Sequence, residues 1–359
     1  MRLDAQNLGS LARGCALLGA GGGGDPELGL SMALMAVEEH GPVEVVALED
    51  LDDDALIMPC GLVGSPALAS EKVWGGDEGR TLRNAVERLR AEPVAALMCY
   101  SQAGANGLLP VMWAARIGLP LVDADGMGRA FPELQQQAMH LADVPASPVV
   151  VTDGRGNAQV LYSADDAWAE RMARSAAACF GGVCAGALYC LTALEARHAA
   201  ISRSLSRAVG IGEALSADAV SDRIDALCEL HDAVVVIEGR IVSVERRAPE
   251  GFVHGSATIQ EDAPGARQLR LELQNEFLLA IEDGAVRAAV PDLISVLSTD
   301  TGNPIATERL RRGEHVVVVS TPAPAPWLSP AGLAVAGPAA FGYDVDYTPS
   351  VQGVTDARR

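Results

Sequence analysis

The feature that most constrains this chain is a set of short, almost wholly apolar runs that alternate with helical stretches through its first 126 residues. ALIMPCGLVG (55–64) and VAALMCY (94–100) carry no charge, so as strands they must be covered on both faces. VEVVALEDL (43–51) and LPLVDADG (119–126) read as two further strands. Between them, 8–18, 27–39, 81–91 and 107–117 have helical character, and Asp25 and Pro26 fit the N-cap and first turn of the second helix. Alternation of this kind predicts an α/β domain with a largely parallel sheet over residues 1–160.

The remaining residues, 161–359, read as a helical segment over 165–228 followed by a mainly β domain. The β part is signalled by closely spaced β-branched runs such as AVVVIEGRIVSVERR and EHVVVVSTP. Gly239 and Gly284 stand where hairpin turns are expected. A length of 359 residues also exceeds what one core usually organises. Residues 175–194 are uncharged, but their Ala, Gly, Cys, Ser and Thr content gains little from lipid, so they read as a buried, tightly packed segment.

Charge narrows the function classes. With 27 Lys and Arg against 47 Asp and Glu, the net charge of −20 repels phosphate backbones and anionic lipid surfaces, which argues against nucleic-acid and membrane partners. The seven cysteines form no CxxC pair or regular framework and read as free thiols. Together with an N-terminus lacking a signal-peptide layout, they point to the cytoplasm. A homo-oligomer is the default expectation for so apolar a chain.

Several clusters could carry chemistry. The loop GAGGGGDP (19–26) matches GxGxxG at Gly19, Gly21 and Gly24, yet it follows a helix rather than a strand, which disfavours a dinucleotide. Its backbone could still approach a small ligand closely. Lys72, the sole lysine, stands beside Glu71 after a buried strand and suits charge stabilisation or proton transfer. Asp123 and Asp125 lie at the end of the 119–123 strand, where α/β sheets bind ligands; if still extended they share a side. They could hold a divalent metal ion, act as a coupled acid and base, or merely cap an Asp-Gly turn. No cofactor motif is present, and the six histidines have no zinc-ligand spacing. Cys60 sits at a strand end where a nucleophile could stand, although cysteine is also a common core residue.

Taken together, GAGGGGDP (19–26), GSPALASEK (64–72), ANGLLP (105–110), GLPLVDADGMGRAFPELQ (118–135), SLSRAVGIG (204–212), GFVHGS (251–256), QNEFLLA (274–280), TGNPIAT (301–307) and GPAAFGYD (337–344) resemble the S-methyl thiohydantoin desulfurase family. The long VDADGMGRAFPE stretch is the most specific of them. The resemblance implies an N-terminal α/β domain followed by a β-rich one. It also implies chemistry on a five-membered ring, in which water replaces a methylthio group at an amidine-like carbon to give a hydantoin and methanethiol. Asp123, Asp125, Glu71 and Lys72 are the candidate catalytic groups. Candidate substrate-binding residues lie in the matched stretches: Gly22, Gly23, Asp25, Asn106, Gly126, Arg129, Glu133, Asn275 and Glu276. Two departures stand out. Ser101-Gln102-Ala103-Gly104 occupies the place of a family Glu-Ile-Gly-Gly, and where a Pro-Gly-Thr precedes the Ser of the middle motif this chain has Ser202-Arg203-Ser204. The alternative to a hydrolase is therefore a non-catalytic accessory or ligand-sensing subunit of a hydantoinase or oxoprolinase system.

Overall fold

The structure is a computed structural model and describes residues 1–350 other than 73, 248–253 and 264. Positions 251–253 of the GFVHGS stretch and the 351–359 end of the second domain lie outside the described residues. The first sheet contains β1 (Arg2–Leu3), β2 (Val43–Val46), β3 (Leu56–Gly64), β4 (Val94–Cys99) and β5 (Leu121–Val122). After the short β6 (Ala124–Asp125), which lies outside it, come β7 (Val149–Thr152), β8 (Ala158–Leu161), β9 (Val183–Ala187) and β10 (Leu191–Thr192). Its order is β1-β2-β5-β4-β3-β9-β7-β8, with β10 pairing β3. The central four strands, β2, β5, β4 and β3, are parallel, while β9, β7 and β8 extend the sheet antiparallel.

Helices cover both faces. They are α1 (Leu8–Leu18), α2 (Pro26–His40), α3 (Pro66–Glu71), α4 (Glu78–Arg90), α5 (Leu109–Ile117), α6 (Ala138–Leu141), α7 (Asp166–Cys179) and α8 (Ala193–Ala199). After β11 (Ile201–Ser202) follow α9 (Ser204–Ala214) and α10 (Val220–His231). Side chains of β3 alternate between the layers: Met58 and Cys60 join the core with α1, α2, α5 and α9, whereas Ile57 joins that with α7 and α8. Two-sided burial explains the uncharged β3 sequence. Helix starts follow local chemistry, with Asp25 accepting from Glu27 N at 3.0 Å ahead of Pro26 and Asp165 accepting from Trp168 N at 2.8 Å. α1 and α9 cross so closely that a Cβ on Gly14 would lie 1.7 Å from Ala208 O, and one on Gly212 the same distance from Ser10 O.

The 165–228 region differs from the continuous helical reading. α7 ends at Cys179, Gly181 and Gly182 follow with positive φ, and the chain then inserts β9 between β3 and β7. Val-Cys-Ala-Gly-Ala is fully buried, and so short an apolar run cannot be told from a buried helix by periodicity. Among the described residues no helix is long and apolar enough to cross a membrane.

The second sheet comprises β12 (Val234–Arg247), β13 (His254–Gln260), β14 (Gln268–Gln274), β15 (Glu276–Glu282), β16 (Ala285–Ala289), β17 (Leu293–Ser298) and β18 (His315–Thr321). It is antiparallel, in the order β16-β15-β14-β13-β12-β18-β17, and curls around Ile237, Leu271, Phe277 and Val316. Asp283 and Gly284 form the β15–β16 turn with φ of 50° and 79°. Gly239 instead lies inside β12, where a Cβ would come within 2.2 Å of Gln260 O, so close strand approach explains this glycine. The last helix, α11 (Pro330–Ala336), follows Trp327, whose indole donates to Met127 O at 2.8 Å and ties this end to the first domain.

Candidate functional site

A cavity of about 430 Å³ opens where the carboxyl ends of β3 and β4 meet the β14–β15 turn of the second domain. The glycine loop, the 127–134 loop and one side of α7 complete its walls. The placement follows from topology, since parallel strands end together and their connections diverge there.

The glycine loop is clasped by both domains. Ala105 N donates to Gly23 O at 3.1 Å, while Phe277 N donates to Ala20 O at 2.8 Å and Thr307 N to Gly21 O at 3.0 Å. On the cavity side, Asn275 has a left-handed φ of 57° and precedes Glu276, the first residue of β15. Glu276 is 3% exposed and lines the cavity. A Cβ on Gly22 would stand 2.2 Å from its Oε1, so the bare glycine backbone leaves room for this carboxyl. Its Oε2 has no hydrogen-bond partner among the described residues. Burial pushes the carboxyl up to about 8; the Arg129 charge opposes that rise and Glu308 adds to it. Burial therefore favours the proton-carrying form of Glu276 over its carboxylate.

Arg129 is buried and joins the domains: Nε donates to Ala130 O at 2.9 Å, and Nη1 to Pro291 O at 3.1 Å and Asp292 O at 2.7 Å. Burial lowers its guanidinium to about 10, and it stacks 4.8 Å from the Phe131 ring centre. Asn106 lines the cavity and accepts from Leu62 N at 2.8 Å, which secures the end of β3. The Tyr100 hydroxyl donates to Leu62 O beside it. On the opposite wall, Glu133 accepts from Gln135 Nε2, and Glu170 accepts from Leu134 N at 3.0 Å and from Arg174. Arg174 also reaches Pro132 O at 2.8 Å, so this pair braces the wall loop. Burial raises the Glu170 carboxyl, against the pull of Arg174.

The sequence candidates are thus divided. Gly23, Asn106, Glu133, Asn275 and Glu276 meet around the cavity. Gly22 and Asp25 face a second hollow of about 330 Å³ behind the loop, where Asp25 pairs with Arg309 at 2.9 Å. Asp123 and Asp125 line neither hollow. The chain leaves the main sheet at Asp123, because β5 pairs with β2 and β4 while β6 pairs with β11. Consequently the two carboxylates have separate partners. Asp123 accepts from Ser206 N at 2.9 Å and from the Ser206 hydroxyl in the first turn of α9. Asp125 is fully buried and accepts from Gln102 N at 2.7 Å and Gly128 N at 2.9 Å, with burial lifting it to about 6. These bonds fix the segments that carry Ser101 and Arg129. Gly126 is packed against Gln137, whose Oε1 would be 1.7 Å from an added Cβ.

Glu71 and Lys72 lie on a separate open groove with Asp153 and Arg155. Glu71 is exposed, and Lys72 donates to Val183 O at 2.7 Å and Phe180 O at 3.4 Å, bracing the turn before β9. Cys60 is buried in β3, and burial pushes its thiol far above the range in which a nucleophile forms. Among the described residues no three His, Cys, Asp or Glu side chains are grouped to hold a metal ion. Tyr100, Glu170 and Arg174 are site residues that sequence reasoning missed. The available signal was Glu170 and Arg174 spaced i,i+4 in a helix whose buried face is otherwise alanine-rich.

A crystal structure of a protein from Chromobacterium violaceum, a structural-genomics target, superposes with a TM-score of 0.80 over 98% of this chain and 100% of its own, at 23% identity. That likeness establishes the shared fold. No curated protein matches the chain. Two family profiles match in succession, "S-Me-THD-like, N-terminal domain" over 6–163 and "S-Me-THD-like, C-terminal domain" over 164–350. With both domains matched in order and nearly end to end, the chain belongs to the S-Me-THD-like family.

Proposed function

We propose that this chain hydrolyses an S-methyl thiohydantoin-like or hydantoin-like five-membered ring, replacing a methylthio group by water, with Glu276 as its acid–base group. The observation that carries this reading is a buried carboxyl, raised by burial and with one oxygen unpartnered among the described residues, on the wall of a cavity of about 430 Å³. That volume lies in the range of small-molecule sites.

In the proposed step, water adds to the amidine-like ring carbon while Glu276 gives its proton to the ring nitrogen, which receives the electron pair of the C=N bond. Glu133 takes the proton shed by the attacking water. The tetrahedral carbon then collapses: the C–S bond breaks, the hydroxyl proton returns to Glu276, and the departing thiolate takes the proton held by Glu133. Hydantoin and methanethiol leave, and both carboxyls regain their starting states. Asp125 acts here as a positioning residue through Gln102 and Gly128.

The second reading is the accessory or ligand-sensing subunit of a hydantoinase or oxoprolinase system. It is favoured by Ser101, which lines the cavity where the family pattern implies a glutamate. Incubating the purified chain with S-methyl thiohydantoins, hydantoins and oxoproline, with mass spectrometry for ring products and methanethiol, separates the readings. Turnover that disappears in Glu276→Gln supports the hydrolase. Unchanged turnover in that variant removes Glu276 from the chemistry, and ligand binding without product supports the accessory subunit.

A further inference from the structure

β8 ends the first sheet, and among the described residues no strand pairs with its outer edge. An open edge is normally protected by charge, proline or a bulge. The opposite edge strand, β1, is two residues long and carries the exposed Arg2. β8 has none of these: residues 157–164, Asn-Ala-Gln-Val-Leu-Tyr-Ser-Ala, contain no charge and no proline, in a chain of net charge −20, and the β7–β8 pairing shows no bulge. Val160 is 39% exposed and Tyr162 67%.

The backbone direction can be read from the β7–β8 hairpin. Asp153 N donates to Asn157 O at 3.3 Å, and Ser163 N meets Ser147 Oγ at 3.1 Å, so the odd-numbered residues face β7. By the alternation of an antiparallel ladder, Ala158, Val160 and Tyr162 present their N–H and C=O groups outward.

We infer that this outer edge of β8 is a docking surface for a second copy of the same chain, paired antiparallel about a two-fold axis at Val160. Self-pairing in this register exchanges hydrogen bonds at each outward-facing residue. It places Val160 against Val160 and sets the small Ala158 opposite the large Tyr162, so the exposed apolar side chains of the two copies cover one another. The ends are complementary in charge: Arg155, in the hairpin turn of one copy, comes toward Asp165 at the start of α7 in the other, and the same contact recurs across the axis. This fit of the strand to itself selects a second copy over a foreign strand. The two first sheets then form one continuous sheet, with the cavities remaining within each chain.

The full chain is examined by sedimentation velocity over roughly 1–100 μM, a span suited to an interface of modest area. A dimer, or a larger assembly that Val160→Lys halves, is expected. Val160→Lys places two like charges on the axis and weakens association by about a hundredfold or more, corresponding to roughly 2.7 kcal/mol. Arg155→Glu, now facing Asp165, weakens it by about tenfold. Met35→Lys, on an exposed position of α2, leaves it unchanged. Circular dichroism confirms that each variant remains folded. A wild-type monomer at every concentration overturns the inference, as does an assembly indifferent to Val160→Lys or equally disrupted by Met35→Lys.

Discussion

The turn at 123–129 and the turn at 275–276 each bury a carboxyl, yet they surround it differently. Asp125 receives backbone N–H groups from two segments, and these hold its rise to about 6. Glu276 keeps an oxygen without a partner among the described residues and rises to about 8. A saturated buried carboxylate fastens loops together, whereas an unsaturated one beside a cavity retains the capacity to exchange a proton. The acid-rich DADG segment is the more conspicuous in sequence, but the carboxyl that lines a cavity belongs to the Asn275–Glu276 turn.

The largest effect that tests this contrast is expected from Glu276→Gln. Turnover should fall by about 10²–10⁴-fold, the usual worth of an acid–base group, measured by methanethiol release. Melting should move the other way. A carboxyl raised in the native state gives stability that is fully present below its unfolded value and is lost as pH rises toward 8. Removing that group should therefore make the variant at least as stable as the wild type at pH 8, with a gain on the order of a few degrees in a thermal scan. A large loss of melting temperature would show that Glu276 is structural. In the wild type, kcat/KM should decline above pH 8 as the acid form is depleted, and the inflection should vanish in the variant.

Asp125→Asn should reverse the pattern, losing about 1–3 kcal/mol because an amide nitrogen must face a buried N–H donor. Denaturant titration measures that loss, and folded Asp125→Asn should keep turnover within about tenfold of wild type. If it instead melts normally but is inactive, Asp125 belongs in the chemistry. Gly22→Ala sharpens the comparison from the other side, since its Cβ would displace the Glu276 carboxyl. Turnover should fall by about 10–100-fold, with substrate affinity, read by calorimetry, nearly preserved. The smallest effect is expected for Lys72→Met, which loses two carbonyl contacts and about 1 kcal/mol of stability while kcat stays within a factor of about two.

Much of this architecture was legible in the chain. Wholly apolar β3 and β4, separated by helices, require a sheet covered on both faces, and the β-branched runs beyond residue 233 require a second, β-rich body. The site was legible in part, because Gly23, Asn106, Glu133, Asn275 and Glu276 lie in stretches with strong local patterns. The separation of Asp123 from Asp125 was not, because it depends on β6 pairing with β11 far along the chain. Nor was the placement of Lys72, whose ammonium is committed to carbonyls more than a hundred residues away.

Periodicity and apolar content therefore determined the two-domain plan, since burial of apolar surface depends on a repeating pattern within each segment. Which carboxyl remains incompletely bonded, and which one a cavity reaches, was decided only in the tertiary structure. Desolvation and hydrogen-bond saturation are set by neighbours brought from elsewhere in the chain: the glycine loop, Arg129 and β15 for Glu276, and Gln102 and Gly128 for Asp125.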